Sequence, residues 1–310
     1  MSQNDLENGF GPPPGLSRTR LSHRSHRSRG NSHGSVKIGD KGVSTHHGQL
    51  SSLEAHMVAG SGEFVGTFLW LWTSYAGHLM AQHQAPGEAP EGGLLNTTLS
   101  STALAYAFPL LANIWAFYRI SGGLFNPAIT FGLVIAGQLP WDRALFLFPA
   151  QVLAALCAGG LVQCMFPWDV SETNTILATN ISISQGVFIE TFLTSQLMFV
   201  VLMLAAEKQK ATYLAPIAIG IAVFGIMICG GYYTGASINP ARSLGSAVAG
   251  LSFPDYHWIY WVGPALGGAL GAGYYRVVKM IHYEEANPGQ DHGGENGDAL
   301  PDGSTLPRNM

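Results

Sequence analysis

Charged residues are scarce in this sequence of 310 residues, of which they make up 11%. An ordinary soluble domain has about 25%. Sixteen of the 34 charges lie between residues 57 and 282, and the others are concentrated near the two ends. So few charges cannot cover the surface of a soluble protein of this size, so residues 57–282 are predicted to form a membrane domain. The same scarcity excludes a disordered or nucleic-acid-binding protein for that region.

Cysteine is also rare, and patterns of catalytic residues are missing. The three cysteines, an odd number, lie in apolar runs and are expected to be buried free thiols, not a disulfide framework. Residues 57–282 contain no nucleophile–base pair, phosphate-binding glycine loop or metal-ligand spacing, which predicts no enzyme, no cofactor and no metal site. A histidine cluster near the N-terminus fits no ligand spacing either, and a solvated basic tail is favoured over a metal site there. Its members are His23, His26, His33, His46, His47 and His56.

The sequence is rich instead in long apolar segments. Six of them reach the roughly 20 residues that cross a bilayer. They are 57–80, 99–119, 143–165, 184–205, 212–231 and 256–280. Two others, 127–137 and 240–251, are too short to span and are predicted to be re-entrant. The polar ends, 1–56 and 283–310, are predicted to be disordered tails, of which the second is acidic.

Lysine and arginine mark one side of this membrane domain, as they do in cytoplasmic loops. With a cytoplasmic N-terminus, six basic residues all fall at cytoplasmic helix ends or loops: Arg119, Arg143, Lys208, Lys210, Arg276 and Lys279. Both termini are therefore predicted to be cytoplasmic, in the plasma membrane or alternatively an endomembrane. The outer loops, 81–98 and 166–183, contain no lysine or arginine. Asn96 and Asn180 begin glycosylation tripeptides in these loops, although an unmodified polar loop fits them equally well.

The two halves of the membrane domain repeat each other. Three motifs of the first half recur in the same order in the second. Glu63 with Thr67 recurs as Glu190 with Thr194, Asn126-Pro127-Ala128 recurs as Asn239-Pro240-Ala241, and Pro149-Ala150 recurs as Pro264-Ala265. Each half contains three spans, an odd number, so the second half must be inverted relative to the first. Inverted repeats place a functional site near the bilayer midplane, where broken helices point their N-termini.

The Asn-Pro-Ala tripeptide is by itself only a helix-start signal, with Asn as N-cap and Pro at the first helical position. Two copies at matching places in an inverted repeat bring two helix N-termini together. Each N-terminus carries about half a positive charge, so the midplane repels cations. If the side-chain oxygens of Asn126 and Asn239 cap the helices, their NH2 groups are free to donate to one water molecule. That water is then poorly placed to relay protons.

Together these motifs resemble those of the aquaporins, in the major intrinsic protein family, over about residues 57–282. The resemblance rests on Ser121-Gly122-Gly123-Leu124-Phe125-Asn126-Pro127-Ala128 and on Thr234-Gly235-Ala236-Ser237-Ile238-Asn239-Pro240-Ala241-Arg242-Ser243. It implies an all-α membrane protein with six transmembrane helices and two re-entrant half-helices in two inverted repeats. It also implies a homotetramer in a lipid bilayer. The long polar tails are similar to those of fungal members.

Residues of a selectivity constriction follow from the resemblance. Arg242 is expected to line the narrowest point near the outer mouth, together with Tyr106, Met227 and Ala236. Water channels of the family usually have Phe and His in place of Tyr106 and Met227, so strict water selectivity is in doubt. Met227 facing lipid is the alternative. Glu63 and Glu190 are expected to accept hydrogen bonds from the loops before the half-helices, with a proton relay as the alternative.

The resemblance implies a passive water channel that excludes protons and ions. Ser243, where glycerol channels usually have Asp, and Ala247 with the pair Tyr260-Trp261 also resemble the water type. The first alternative is the same fold conducting hydrogen peroxide or small neutral solutes such as glycerol. The second is a junction or scaffold protein with a silent pore, against which the intact motifs argue.

Overall fold

A computed structural model describes residues 50–83, 93–207 and 211–286. Most of the two predicted tails, Lys208 and Lys210 lie outside these ranges, as does the side chain of Asn96. Within them the first helix begins at Ser52, ahead of the predicted domain start at residue 57.

Eight α-helices and no strands make up the described part of the chain. They are α1 (Ser52–His83), α2 (Gly93–Phe117), α3 (Pro127–Ala136), α4 (Trp141–Met165), α5 (Ile183–Val201), α6 (Ala215–Thr234), α7 (Pro240–Ala249) and α8 (Ile259–Met280). Six are long, and α3 and α7 are the two short ones predicted as re-entrant. A π-helical turn, Leu202–Ala206, extends α5.

The packing of these helices follows the repeat. In the first half α1 packs on α2 and α4, and in the second half α5 packs on α6 and α8. The halves meet where α2 contacts α6, where α7 packs on α4 and where α3 packs on α8. Each short helix is therefore held by the last helix of the opposite half.

Glycine makes these cross-half contacts possible. A Cβ added to Gly159 of α4 would lie 2.5 Å from the main-chain oxygen of Gly245 in α7. A Cβ added to Gly268 of α8 would lie 2.7 Å from the main-chain oxygen of Ala128 in α3. Small residues let membrane helices approach backbone to backbone, and here they seat the two short helices.

The exterior of the bundle is apolar. Large hydrophobic side chains such as Phe108, Leu145, Phe192 and Ile221 are exposed there. By length and hydropathy, four described helices could cross a membrane: Thr97–Phe117, Trp141–Met165, Ile183–Ala206 and Thr212–Thr234. Helices α1 and α8 are also long. Helix α1 packs on α4, and α8 packs on α5 in the other half. Their polar and glycine content lowers their hydropathy.

The prediction of buried cysteines is wrong. Cys157, Cys164 and Cys229 are free thiols, as expected, but all three are exposed. In a membrane domain an apolar run faces lipid as readily as it faces the protein core, so apolar neighbours do not imply burial.

Candidate functional site

The two Asn-Pro-Ala motifs begin the two short helices. The Asn126 side-chain oxygen accepts from the backbone N–H of Ala128 at 2.9 Å and of Ile129 at 3.4 Å. The Asn239 side-chain oxygen accepts from Ala241 at 3.0 Å and Arg242 at 3.2 Å. Both asparagines are buried N-caps of short helices that carry Pro at their start.

The amide nitrogens of these asparagines cross between the two halves. Asn126 Nδ2 donates to the main-chain oxygen of Ile238 at 2.7 Å, and Asn239 Nδ2 donates to that of Phe125 at 2.8 Å. This corrects the expectation that both NH2 groups are wholly free. One N–H of each is bound to the opposite loop, and the other has no acceptor among the described residues.

The backbone bends sharply just before each asparagine. Phe125 and Ile238 have φ values of 49° and 45°, in the left-handed region that side chains other than glycine rarely adopt. Each such residue costs on the order of 1–3 kcal/mol unless its surroundings hold it there. Here each of the two carbonyls accepts from an asparagine of the other half, so this conformation is part of the link between the halves.

Glu63 of α1 lies under the first loop. Its Oε1 accepts from the Leu124 N–H at 2.9 Å and from Ser121 Oγ at 2.7 Å. Its Oε2 accepts from the Phe125 N–H at 2.7 Å and from Gln151 Nε2 at 2.8 Å. The carboxylate is fully buried, and all of these contacts are donors, which suits an ionised acceptor.

Glu190 of α5 makes the matching contacts in the second half. Its Oε1 accepts from the Ser237 N–H at 2.9 Å and from Thr234 Oγ1 at 2.6 Å. Its Oε2 accepts from the Ile238 N–H at 2.7 Å. Irregular backbone at membrane depth needs such partners. The bracing role of both glutamates stays a prediction.

A narrow cavity of about 50 Å³ runs past the two motifs. It is bordered by Asn126 and Asn239, and by all four residues expected at the constriction: Tyr106, Met227, Ala236 and Arg242. A second cavity of about 460 Å³, named the outer cavity after the predicted orientation, shares Met227 and Arg242 with it. The two spaces therefore adjoin at these two side chains. Met227 is buried and faces both cavities, which argues against its facing lipid.

Arg242 combines burial with unused donors. The side chain is 2% exposed, and its Nη1 and Nη2 atoms have no hydrogen-bond partner among the described residues. Its guanidinium lies 4.7 Å from the centroid of the Tyr106 ring. Buried donors without partners are costly, so this group is suited to hydrogen-bond a polar molecule in the cavity.

Two contributors near the constriction escaped the sequence reasoning, and both lie on α1. Tyr75 Oη donates to the main-chain oxygen of Arg242 at 2.5 Å and so fixes the start of α7. His78 lines the outer cavity together with Arg242. A signal was available, because Tyr75 lies four residues after Leu71 on the buried side of α1, and the partly buried His78 follows three residues later. The four residues predicted for the constriction lie in α2, in α6, in the loop before α7 and in α7 itself.

The outer cavity is also bordered by a short turn, Val170–Thr173. Asp169 caps this turn by accepting from the Ser171 N–H at 2.8 Å, and that hydrogen bond lowers the pKa of the Asp169 carboxyl. The turn carries Glu172, whose carboxylate lies 2.8 Å from His83 Nε2. No group of three or more metal-ligating side chains occurs within the described ranges.

Comparison with known proteins agrees with this geometry. The profile of the family described as "Major intrinsic protein" matches residues 50–275. The chain is 63% identical over 242 residues to "Probable aquaporin-3" of Gibberella zeae, an alignment that covers 78% of this chain and 85% of that protein. It is 46% identical over 243 residues to "Aquaporin-7" of Botryotinia fuckeliana, covering 77% of this chain and 53% of that one.

A solved structure shares the fold. The X-ray structure of the aquaglyceroporin from Plasmodium falciparum superposes with a TM-score of 0.63 and 20% sequence identity. The match covers 74% of this chain and 99% of that one. At this identity the likeness concerns the fold alone.

Proposed function

Because the chain belongs to the major intrinsic protein family, whose members are channels and not enzymes, we propose that it conducts water passively across a membrane and excludes protons and ions. The observation that carries the proposal is the set of donors along the narrow cavity. Within the described part of the chain, Asn126 and Asn239 each have one side-chain N–H without a protein acceptor. The Nη1 and Nη2 groups of Arg242 have none either. Pore diameter, lining donors and fixed positive charge are the general basis of selectivity in aquaporin-type pores.

Ion exclusion follows from the same residues. The N-termini of α3 and α7 meet at the asparagines, so two partial positive charges face the cavity. The Arg242 guanidinium adds a full charge at the outer end. A cation entering the cavity meets repulsion at both places, whereas neutral water finds hydrogen-bond donors.

Water flux through proteoliposomes tests the proposal. Vesicles containing the full chain should shrink faster in stopped-flow light scattering than empty vesicles do under the same osmotic gradient. Equal rates would defeat the water proposal and would favour a junction or scaffold protein with a silent pore. An Arg242→Ala variant serves as a probe of ion exclusion, because it should keep water flux and gain cation leakage.

A second permeant class has one observation in its favour. Met227 places a flexible apolar side chain at the junction of the two cavities, where water channels of the family usually have His. Hydrogen peroxide, or a neutral solute such as glycerol, is therefore proposed as an additional permeant. A peroxide-sensitive dye trapped in the vesicles tests the first, and re-swelling in glycerol tests the second.

The assembly and membrane placement are proposed on family grounds. We expect a homotetramer with one pore in each subunit, in the plasma membrane, with residues 57–282 as the channel domain between two cytoplasmic tails. The apolar exterior of the bundle is compatible with lipid or with neighbouring subunits. Protease accessibility of the two tails in sealed, right-side-out vesicles tests the orientation, since cytoplasmic tails should be protected.

A further inference from the structure

A histidine from the first helix stands beside the constriction, although α6 offers none there. His78 lies near the end of α1. Its ring packs edge-on against the ring of Tyr106, with centroids 5.8 Å apart and an interplanar angle of 72°. It borders the outer cavity that also reaches Met227 and Arg242. His78 therefore contacts the constriction from its outer side.

The hydrogen-bond partners of His78 determine which ring nitrogen carries the proton. Gln82 Nε2 lies 3.1 Å from the main-chain oxygen of Glu172 and 3.0 Å from His78 Nε2. A carbonyl oxygen only accepts, so the Gln82 group that faces it is the NH2, which only donates. His78 Nε2 must then accept from Gln82. The imidazole is neutral, and its proton is on Nδ1.

The proton on Nδ1 points to Tyr106. His78 Nδ1 lies 3.5 Å from Tyr106 Oη, a long hydrogen bond in which the imidazole donates and the hydroxyl oxygen accepts. The proton of the Tyr106 hydroxyl is thereby directed away from His78. Since Tyr106 borders the narrow cavity, this proton is available to a permeant.

We propose that His78 is a positioning residue of the constriction, which orients the Tyr106 hydroxyl as a donor and so favours water over glycerol. The inference rests on the proposed water-channel function. A water molecule that leaves bulk solvent must recover its hydrogen bonds inside the pore, and a donor held in one orientation supplies one of them. Glycerol also presents CH groups, which a less ordered and less polar wall accommodates better.

The test is the ratio of water to glycerol permeability in proteoliposomes. His78→Ala should lower that ratio roughly fivefold, the effect of losing about one net hydrogen bond. His78→Asn should keep most of the ratio, because its amide nitrogen lies close to the position of Nδ1, whereas His78→Gln should lose it. The matched control is His83→Ala on the same helix. His83 stacks on Trp168 and pairs with Glu172, so its loss should leave the ratio unchanged.

A double-mutant cycle with Tyr106→Phe separates positioning from a general structural role. If His78 acts through the Tyr106 hydroxyl, His78→Ala should have no further effect on the ratio in the Phe background. An equal effect in both backgrounds, or an unchanged ratio in His78→Ala alone, would overturn the inference. These results differ from failure of the proposed function, in which the wild-type chain itself conducts water no faster than empty vesicles. Should His78→Ala not fold, the comparison of the Asn and Gln variants decides the matter.

Discussion

Replacement of Glu190 is the sharpest test of what holds the second loop at membrane depth. The Glu190 carboxylate is fully buried and accepts from two backbone N–H groups, those of Ser237 and Ile238, and from the Thr234 hydroxyl. These two N–H groups belong to the loop that delivers Asn239 to the cavity. Without the carboxylate, the N–H groups of Ser237 and Ile238 lose their acceptor at a buried site where water does not take its place.

The size of the effect follows from these contacts. A hydrogen bond to a charged group contributes about 1.5–3 kcal/mol, and a buried donor left unsatisfied costs about 1–3 kcal/mol. Glu190→Gln keeps the shape but turns an NH2 group toward a donor, so we expect a loss of about 2 kcal/mol in the free energy of unfolding. Glu190→Ala leaves both loop N–H groups unsatisfied, for which we expect about 4 kcal/mol.

Unfolding of the purified protein in mixed micelles, followed by tryptophan fluorescence against the fraction of denaturing detergent, measures these differences. Glu54→Gln is the matched control, since Glu54 is exposed and bonds only locally to Ser51. A Glu190→Ala protein within about 0.5 kcal/mol of wild type, the range of ordinary surface changes, would refute the bracing argument. The proton-relay alternative predicts proton flux in wild-type vesicles that Glu190→Gln abolishes, and a trapped pH dye detects it.

Three further changes, the last with a matched control, probe the constriction and the helix packing. Met227→His should reduce peroxide or glycerol flux more than water flux; an unchanged ratio would place Met227 outside the constriction. Ala236→Cys should make water flux sensitive to mercury, whereas in the wild type mercury should not act at residue 236. Stopped-flow measurements with and without mercury compare the two proteins. Gly159→Ala should destabilise the bundle by about 1–3 kcal/mol, because it overpacks α4 against the Gly245 carbonyl. Gly160→Ala has nothing within 4 Å of the added carbon, so its melting temperature should match or exceed that of wild type.

Much of this fold could be predicted because its signals are local or repeated. The capping of α3 by Asn126 and of α7 by Asn239 depends on residues two and three positions ahead, which the sequence displays directly. The correspondence of Glu63 and Glu190 follows from the repeat. Helix existence follows from apolar segments long enough to span a bilayer.

Other features depend on contacts between distant parts of the chain, which one sequence does not display. The second partner of the Asn126 amide is a carbonyl 112 residues away. Exposure of Cys157 depends on which side of α4 faces outward. His78 was not predicted because the histidine expected from the family pattern lies on α6, whereas in the fold α1 places His78 against Tyr106 of α2.

The reciprocal hydrogen bonds of the asparagines explain why the two loops before α3 and α7 stay in unfavourable backbone conformations. Phe125 turns left-handed and offers its carbonyl to Asn239, and Ile238 does the same for Asn126. Each strained loop is thus held by the cap residue of the other half, so neither geometry is expected to persist if the other is lost. The same bonds fix the rotation of both amides, because each has one N–H committed and its oxygen occupied by capping. The remaining N–H of each must then point in a single direction, so the cavity has two donors whose orientation the inverted repeat itself sets.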